Sequence, residues 1–501
     1  LKYSLFLQKY HILTIAASYI SVVLCIVQSA EGEYMDVALI NTNRIKPPIA
    51  PIGLEYVAEG LSAAGHSPFV LDLQWEDDSE SAVERFFRHK EYELIGISIR
   101  NTDDCAYTSR QSFFPEYESV MGAVRKYSGG TVFIGGVGFS CMPEHSAEVL
   151  KPDAGLWGDG ELHFADIATR IENRHAWRDI SGLVLPSESG WKRAQQNFPE
   201  LGKLPEMKRG WVDNRRYFRE GGQVGIETKR GCTGLCIYCA DPLAKGKALR
   251  LREPARVVSE LKRLVQSGID HFHLCDSEFN IPETHAERVC EELIRHKAVK
   301  KARWYTYCSP VPFSPRLAEL MRRAGCVGIN FGVDSGDREM LRRLRRSFVP
   351  EDIANTVAAC KKAGITVMLD LLFGSPFESA ESIAHTIDLM KNIDPDCVGV
   401  SVGVRVYPGT AIESIIKSDS LQGGISGNER KNEPVFFIEQ RIAREIFDLI
   451  DRRIGNDNRF FFFDPSKPEV NYNYNANERL AEAISKGYRG AYWDILRRYT
   501  G

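Results

Sequence analysis

The chain has 501 residues, with 64 basic and 67 acidic side chains and a net charge of −3 at pH 7. That balance excludes a strongly basic nucleic-acid binder, because neutralising phosphates needs a concentrated positive field. Hydrophobic residues at 43% and charged residues at 26% exclude a disordered chain, and 12 cysteines are too sparse for a disulfide scaffold.

At roughly 150 residues per domain the length allows about three domains. Residues 1–34 stand apart from the body. Residues 12–30 are an apolar run behind Lys2 and Lys9, which reads as a signal peptide or a membrane span. The alternative, adopted here, is an upstream extension with Met35 as the working start, since MDVALINTN begins a soluble strand at once. The body is then expected in the cytoplasm, without stable membrane association.

Residues 35–185 alternate short apolar runs with helical patterns. Strands are expected at 36–41, 68–73, 94–99, 131–134 and 155–157, with helices such as 53–64 and 116–127 between them. Alternation of this kind gives an α/β, doubly wound parallel sheet. Ligands of such sheets bind at the carboxyl ends of strands. The loops there hold Asn43, then Pro51-Ile52-Gly53-Leu54, Arg100-Asn101, Gly135-Gly136 and Gly158-Asp159-Gly160-Glu161. GGVGFS at 135–140 is not G-x-G-x-x-G and does not follow the first strand, so a dinucleotide fingerprint is absent.

Taken in order, these loops resemble the Rossmann-like cobalamin-binding domain that precedes many radical S-adenosylmethionine (SAM) enzymes. The resemblance implies cobalamin contacts at Asn43, Arg100, Asn101, Gly135, Gly136, Gly158, Gly160 and Glu161. The cobalt-ligating histidine of D-x-H-x-x-G is missing, so cobalamin without histidine ligation is expected. By resemblance to the tryptophan-2-methylating branch of that family, Arg100 covers the lower corrin face. From the residues alone, Arg100 reads equally as a partner of Asp103 or Asp104 at a strand end.

Residues 186–222 are irregular and rich in Gly, Pro and Trp, and read as a linker. Residues 228–242 then read TKRGCTGLCIYCADP, with Cys232, Cys236 and Cys239 spaced C-x3-C-x2-C. Three thiolates on one loop can hold three corners of a [4Fe–4S] cluster and leave the fourth iron open to SAM. A structural zinc site would take four closed ligands, and no further Cys or His lies nearby. The spacing, with Tyr238 before the last cysteine, resembles the radical SAM superfamily.

Further strands are expected at 224–228, 271–275, 302–307, 328–333, 366–373 and 397–402, so residues 223–410 fit that superfamily's partial (β/α)6 barrel. The resemblance implies that Tyr238, Asp276, Glu278, Ser309 and Ser335 meet SAM. Asp334 stands where the family's G-x-E-S segment has Glu, and Gly374 to Glu378 resembles its G-x-P-x-E turn. For each acid the plain alternative is a strand-end cap or a salt bridge.

Cys326, Cys360 and Cys397 sit in apolar settings and read as core. Cys105, Cys275 and Cys308 lie nearer strand ends, where they could face a cavity. Residues 411–501 form a small, mostly helical region with helices expected at 437–452 and 478–486. Its aromatics, residues 460–463 with Tyr472 and Tyr474, either line a substrate pocket or pack this region onto the barrel.

The family resemblance implies an enzyme that moves a methyl group from SAM, through methylcobalamin, to a carbon of a small organic substrate. It also implies an electron donor such as flavodoxin or ferredoxin. Two alternatives stay open: a rearranging or oxidatively cyclising relative, and a non-enzymatic cobalamin or metal sensor. No catalytic side chain is singled out.

Overall fold

In the computed structural model, described over residues 34–429, 432–462, 474–475 and 477–499, the first five apolar runs are strands. They are β1 (Asp36–Asn41), β2 (Ser67–Asp72), β3 (Leu94–Ser98), β4 (Thr131–Gly135) and β5 (Ala154–Leu156). All pair in parallel, in the order β2-β1-β3-β4-β5. Val37, Ala38, Leu39 and Ile40 are each 3% exposed or less, as a strand with helices on both faces requires. The order reverses between β1 and β3, which opens a crevice at their carboxyl ends. The expected extension before residue 34, with Phe463 and Tyr472, lies outside the described residues.

The expected linker is more ordered than its composition suggests. β6 (Leu183–Ser187) and β7 (Gly190–Arg193) form a hairpin that adds antiparallel to β5. A two-residue turn, Glu188-Ser189, joins them. β7 is mostly exposed, so it carries no apolar alternation to read. A helix, Asn214–Gly221, follows; Asp213 caps it by accepting from the Arg216 N–H, and Gly222 ends it at φ 84°.

The second sheet contains β8 (Val224–Ile226). After it, β9 (Lys229–Arg230) and β10 (Arg250–Leu251) pair antiparallel and frame the cysteine loop. The sheet continues with β11 (His271–Leu274), β12 (Arg303–Cys308), β13 (Cys326–Asp334), β14 (Thr366–Phe373) and β15 (Cys397–Val402). Beyond it, β16 (Val404–Arg405), β17 (Ile425–Ser426) and β18 (Phe436–Phe437) make a small antiparallel sheet. A seventh parallel strand, β19 (Phe460–Phe462), completes the large sheet in the order β19-β15-β14-β13-β12-β11-β8.

The six expected barrel strands are therefore joined by one from the C-terminal region. The helix expected from residue 437 starts at Ile446 instead, because Phe437 belongs to β18. The helices around the barrel bury apolar stripes, such as Val257, Val258, Leu261 and Leu264 of Pro254–Gln266. Cys326, Cys360 and Cys397 are buried as expected; Cys308 joins them in the core rather than facing a cavity. Phe460 and Phe462 are 3% exposed and pack into the barrel core, while Tyr474 packs edge-on against Tyr492. No helix among the described residues is long and apolar enough to cross a membrane.

Candidate active site

The two parallel sheets meet around a cavity of about 640 Å³. One wall comes from the first sheet: Arg100 and Asn101 after β3, Gly135 and Gly136 after β4, and Gly158, Gly160 and Glu161 after β5. Glu227, Cys275 and Tyr307 line it from the barrel, and Tyr474, Tyr492 and Trp493 from the C-terminal region. Gly136 has φ 98°, and a Cβ there would lie 2.5 Å from the Ile99 carbonyl oxygen, so only glycine lets this loop turn so tightly.

Asn43, expected on this wall, does not line the cavity. Its side chain turns back toward the Ile49 carbonyl, and Asn41 lines the wall instead. Arg100 does face the cavity, with one side-chain acceptor, Asn101 Oδ1 at 3.2 Å. The acids proposed as its plain partners are engaged elsewhere. Asp103 pairs with Arg405 at 2.9 Å, and Asp104 accepts from Ser109 and backbone N–H groups.

The cysteine loop leaves β9 and runs beside the barrel mouth. Cys232, Cys236 and Cys239 are free and half-buried. A point at the Cβ position of Gly234 would lie 3.3 Å from Cys232 Sγ and 3.8 Å from Cys236 Sγ. The Cys239 N–H donates to the Cys236 carbonyl at 3.3 Å, which curls the third thiol back toward the others. Burial pushes all three thiols upward, against ionisation. Arg346 Nη1 lies 2.7 Å from Cys236 Sγ and opposes that trend. Among the described residues no three His, Cys, Asp or Glu side chains close on one point as a single-ion site would. The thiols do fit the wider corners of an iron–sulfur body, because they are soft, unbridged and gathered on one loop.

The expected SAM contacts divide sharply. Asp276 is well engaged: it accepts from the Thr228 N–H at 2.8 Å, the Thr228 hydroxyl at 2.5 Å and the Lys229 N–H at 3.2 Å. It straps the end of β8. Ser335 is fully buried, linked to Thr386 Oγ1 at 3.0 Å and to the Asp337 N–H at 3.1 Å. Ser309 is likewise tied into its own loop by Asn280 and the Val311 N–H. All three stand at the strand ends expected of them, held there by internal hydrogen bonds.

Glu278 differs. Its Oε2 is buried without a partner, and its nearest cation is Arg346 at 3.9 Å. Burial pushes its carboxyl up to about 7. Tyr238 donates to Asp334 Oδ2 at 2.7 Å, and Arg346 Nε approaches the same carboxylate at 3.4 Å. Glu278, Tyr238, Asp334 and Arg346 thus surround the cysteine loop as one polar group.

Sequence reasoning missed Arg346, which hides in a basic run that reads as a solvated helix. It also missed the seam that fixes the two domains. Arg230, two positions before Cys232, pairs with Asp159 at 3.1 Å, Glu161 at 2.6 Å and Glu227 at 2.9 Å. Glu161 therefore ties the first sheet to the cysteine loop, while its second oxygen stays unpartnered.

The sequence model of the radical SAM superfamily matches residues 226–390, and that of the B12 binding domain matches residues 38–168. A tryptophan 2-C-methyltransferase of Streptomyces laurentii is 32% identical over 435 residues, 74% of this chain and 73% of its own. The solved structure of the radical SAM methyltransferase TsrM from Kitasatospora setae, with tryptophan and a SAM analog bound, superposes with a TM-score of 0.85. It is 27% identical and covers 92% of this chain and 97% of its own. The cobalamin-dependent radical enzyme OxsB shares the fold at a TM-score of 0.69 and 14% identity, covering 84% of this chain and 67% of its own. Two ligand-binding sheets facing one cavity, both matched by their families, make this chain a member of the cobalamin-dependent radical SAM methyltransferases.

Proposed function

We propose that this enzyme transfers a methyl group to a carbon of tryptophan or a closely related indole. The supporting observation is the 32% identity to a tryptophan 2-C-methyltransferase across about three quarters of both chains. An aromatic cavity wall of Tyr307, Tyr474, Tyr492 and Trp493 suits a planar ring. Cys232, Cys236 and Cys239 would hold a [4Fe–4S] cluster, and Gly135, Gly136, Gly158 and Gly160 would let the backbone approach cobalamin. Bound there, the two groups supply redox chemistry and a methyl carrier.

The chain's own part is placement. Arg100, on the cavity wall, would offer its guanidinium to the bound cobalamin. Arg346 holds the Cys236 sulfur, and Glu278, 3.9 Å from Arg346, has its carboxyl pushed up to about 7 by burial. The Arg230 seam fixes the cysteine loop against the first sheet, which would hold the residues for the two cofactors in one arrangement. The enzyme works in the cytoplasm with electrons from a flavodoxin or ferredoxin.

The test is anaerobic reconstitution with iron, sulfide and cobalamin, followed by incubation with tryptophan and methyl-labelled SAM. A labelled product heavier by one CH2 unit is expected. SAM turnover that leaves tryptophan unchanged but methylates another compound in extracts would move the substrate assignment. Cyclised or rearranged product without the label would reassign the reaction class.

A further inference from the structure

Three side chains line the cavity and also bury a polar atom without a partner among the described residues: Glu161 Oε2, Gln223 Oε1 and His273 Nδ1. Glu161 belongs to the wall of the first sheet, and Arg230 holds its other oxygen. Gln223 and His273 stand on the barrel side. His273, on β11, lies opposite Gly225 of β8 in register, and Gln223 is two residues before Gly225. Residues two apart along a strand share a face, so Gln223 and His273 flank the bare glycine on the face that lines the cavity.

The His273 ring meets Tyr307 edge-on at 4.9 Å. Burial lowers the imidazole to about 4, so near neutral pH it is uncharged and one nitrogen can accept. The Gln223 amide is uncharged as well. No hydrogen bond among the described residues holds either plane, so a half-turn about the last side-chain bond re-aims either group without breaking one. A donor arriving at Nδ1 selects the tautomer protonated at Nε2, and both atoms left over are then acceptors. Two uncharged acceptors beside an aromatic wall are relieved by a ligand N–H, because an enclosed acceptor without a donor is unfavourable.

We infer that Gln223 and His273 form a subsite that accepts a hydrogen bond from an N–H group of the substrate. The inference rests on the indole reading and adds to it the residues that select for such a group. A tryptophan-like molecule offers two sources, the ring N–H and the α-ammonium. A site built to bond a substrate N–H rejects an analogue that lacks it.

The experiment uses full-length, anaerobically reconstituted, cobalamin-loaded protein as wild type, His273→Phe and Gln223→Leu. Equilibrium dialysis measures the binding of tryptophan, of benzothienylalanine, which has sulfur in place of the ring N–H, and of indolepropionic acid, which has no ammonium. Each variant should bind tryptophan about tenfold more weakly than wild type. If the ring N–H is the donor, that loss disappears with benzothienylalanine. If the ammonium is the donor, it disappears with indolepropionic acid.

Either pattern supports the inference. An equal loss for all three ligands, or no loss in either variant at full iron and cobalamin content, overturns it and leaves the substrate reading standing. The thermal midpoints of the ligand-free variants should equal or exceed wild type, because an unpartnered buried atom has been removed. A clear fall in both would assign the two side chains to the fold and overturn the inference. Wild-type protein that binds none of the three ligands would refute the substrate reading, and the subsite with it.

Discussion

Two arginines reach the seam between the sheets and meet opposite surroundings. Arg209 is fully enclosed, donating to Glu55 at 2.7 Å, Glu260 at 2.8 Å, the Gly225 carbonyl at 3.0 Å and Asn214 at 3.1 Å. The three charged side chains are each 1% exposed or less. Arg100 stands at the cavity with a single side-chain acceptor among the described residues. The same guanidinium serves as a lock where its donors are matched, and faces the cavity where they are not. Asp276 and Glu278 repeat the contrast two residues apart. In this molecule, hydrogen-bond matching separates groups that position at a strand end leaves alike.

The largest effect should follow from breaking the unmatched side. Cys232→Ala, Cys236→Ala or Cys239→Ala should each lose reconstituted iron and all methyl transfer while cobalamin still binds, as iron analysis and absorbance will show. Iron content and turnover at wild-type levels would refute the assignment. On the matched side, Arg209→Met leaves Glu55 buried without its cation and Glu260 with only Arg252. Removing one partner of such a group costs about 3–5 kcal/mol, to be read from urea denaturation. A loss below about 1 kcal/mol would show the network to be hydrated and dispensable.

The parts of this site that were legible in the sequence are those made by neighbours in the chain. The glycine turns after β4 and β5 and the cysteine spacing are local, so residue types alone expose them. Arg346 reaches Cys236 across 110 positions, and Arg405 reaches Asp103 across 302, and no local pattern encodes either. Asp276 and Glu278 look equivalent as acids after one strand. Only the folded end of β8, which turns two N–H groups and a hydroxyl onto Asp276, separates them. β7 and β19 were missed for different reasons. β7 is a polar edge strand, and β19 is an aromatic run that reads as packing until its pairing with β15 is seen.

A smaller effect on the fold should accompany Arg100→Ala. With one side-chain acceptor to lose, stability should change by no more than about 0.5 kcal/mol. The absorbance of bound cobalamin should change nonetheless, because a positive charge facing the cavity is gone. Unaltered absorbance with full cobalamin binding would make Arg100 a bystander of the cavity wall. Combined with Arg209→Met, the pair would show one residue altering the ligand and the other the fold.

A pH-dependent effect concerns a carboxyl that is matched on one oxygen and not on the other. Glu378 is 1% exposed; its Oε2 accepts from the Gly374 N–H at 2.5 Å and the Ser375 N–H at 3.1 Å, while Oε1 has no partner. Burial outweighs these hydrogen bonds and pushes the carboxyl from 4.5 up to about 8. The folded chain therefore holds a proton that the unfolded chain releases. Stability from this group is complete below pH 4.5, declines as pH rises toward about 8 and levels off above it. The slope is at most about 1.4 kcal/mol per pH unit. Glu378→Gln keeps an oxygen for the two N–H groups and cannot ionise. Urea midpoints of wild type and variant should agree near pH 4.5 and separate in favour of the variant toward pH 8. A wild-type midpoint parallel to the variant's across that range would mean that Glu378 ionises as an ordinary carboxylate and that water reaches its free oxygen.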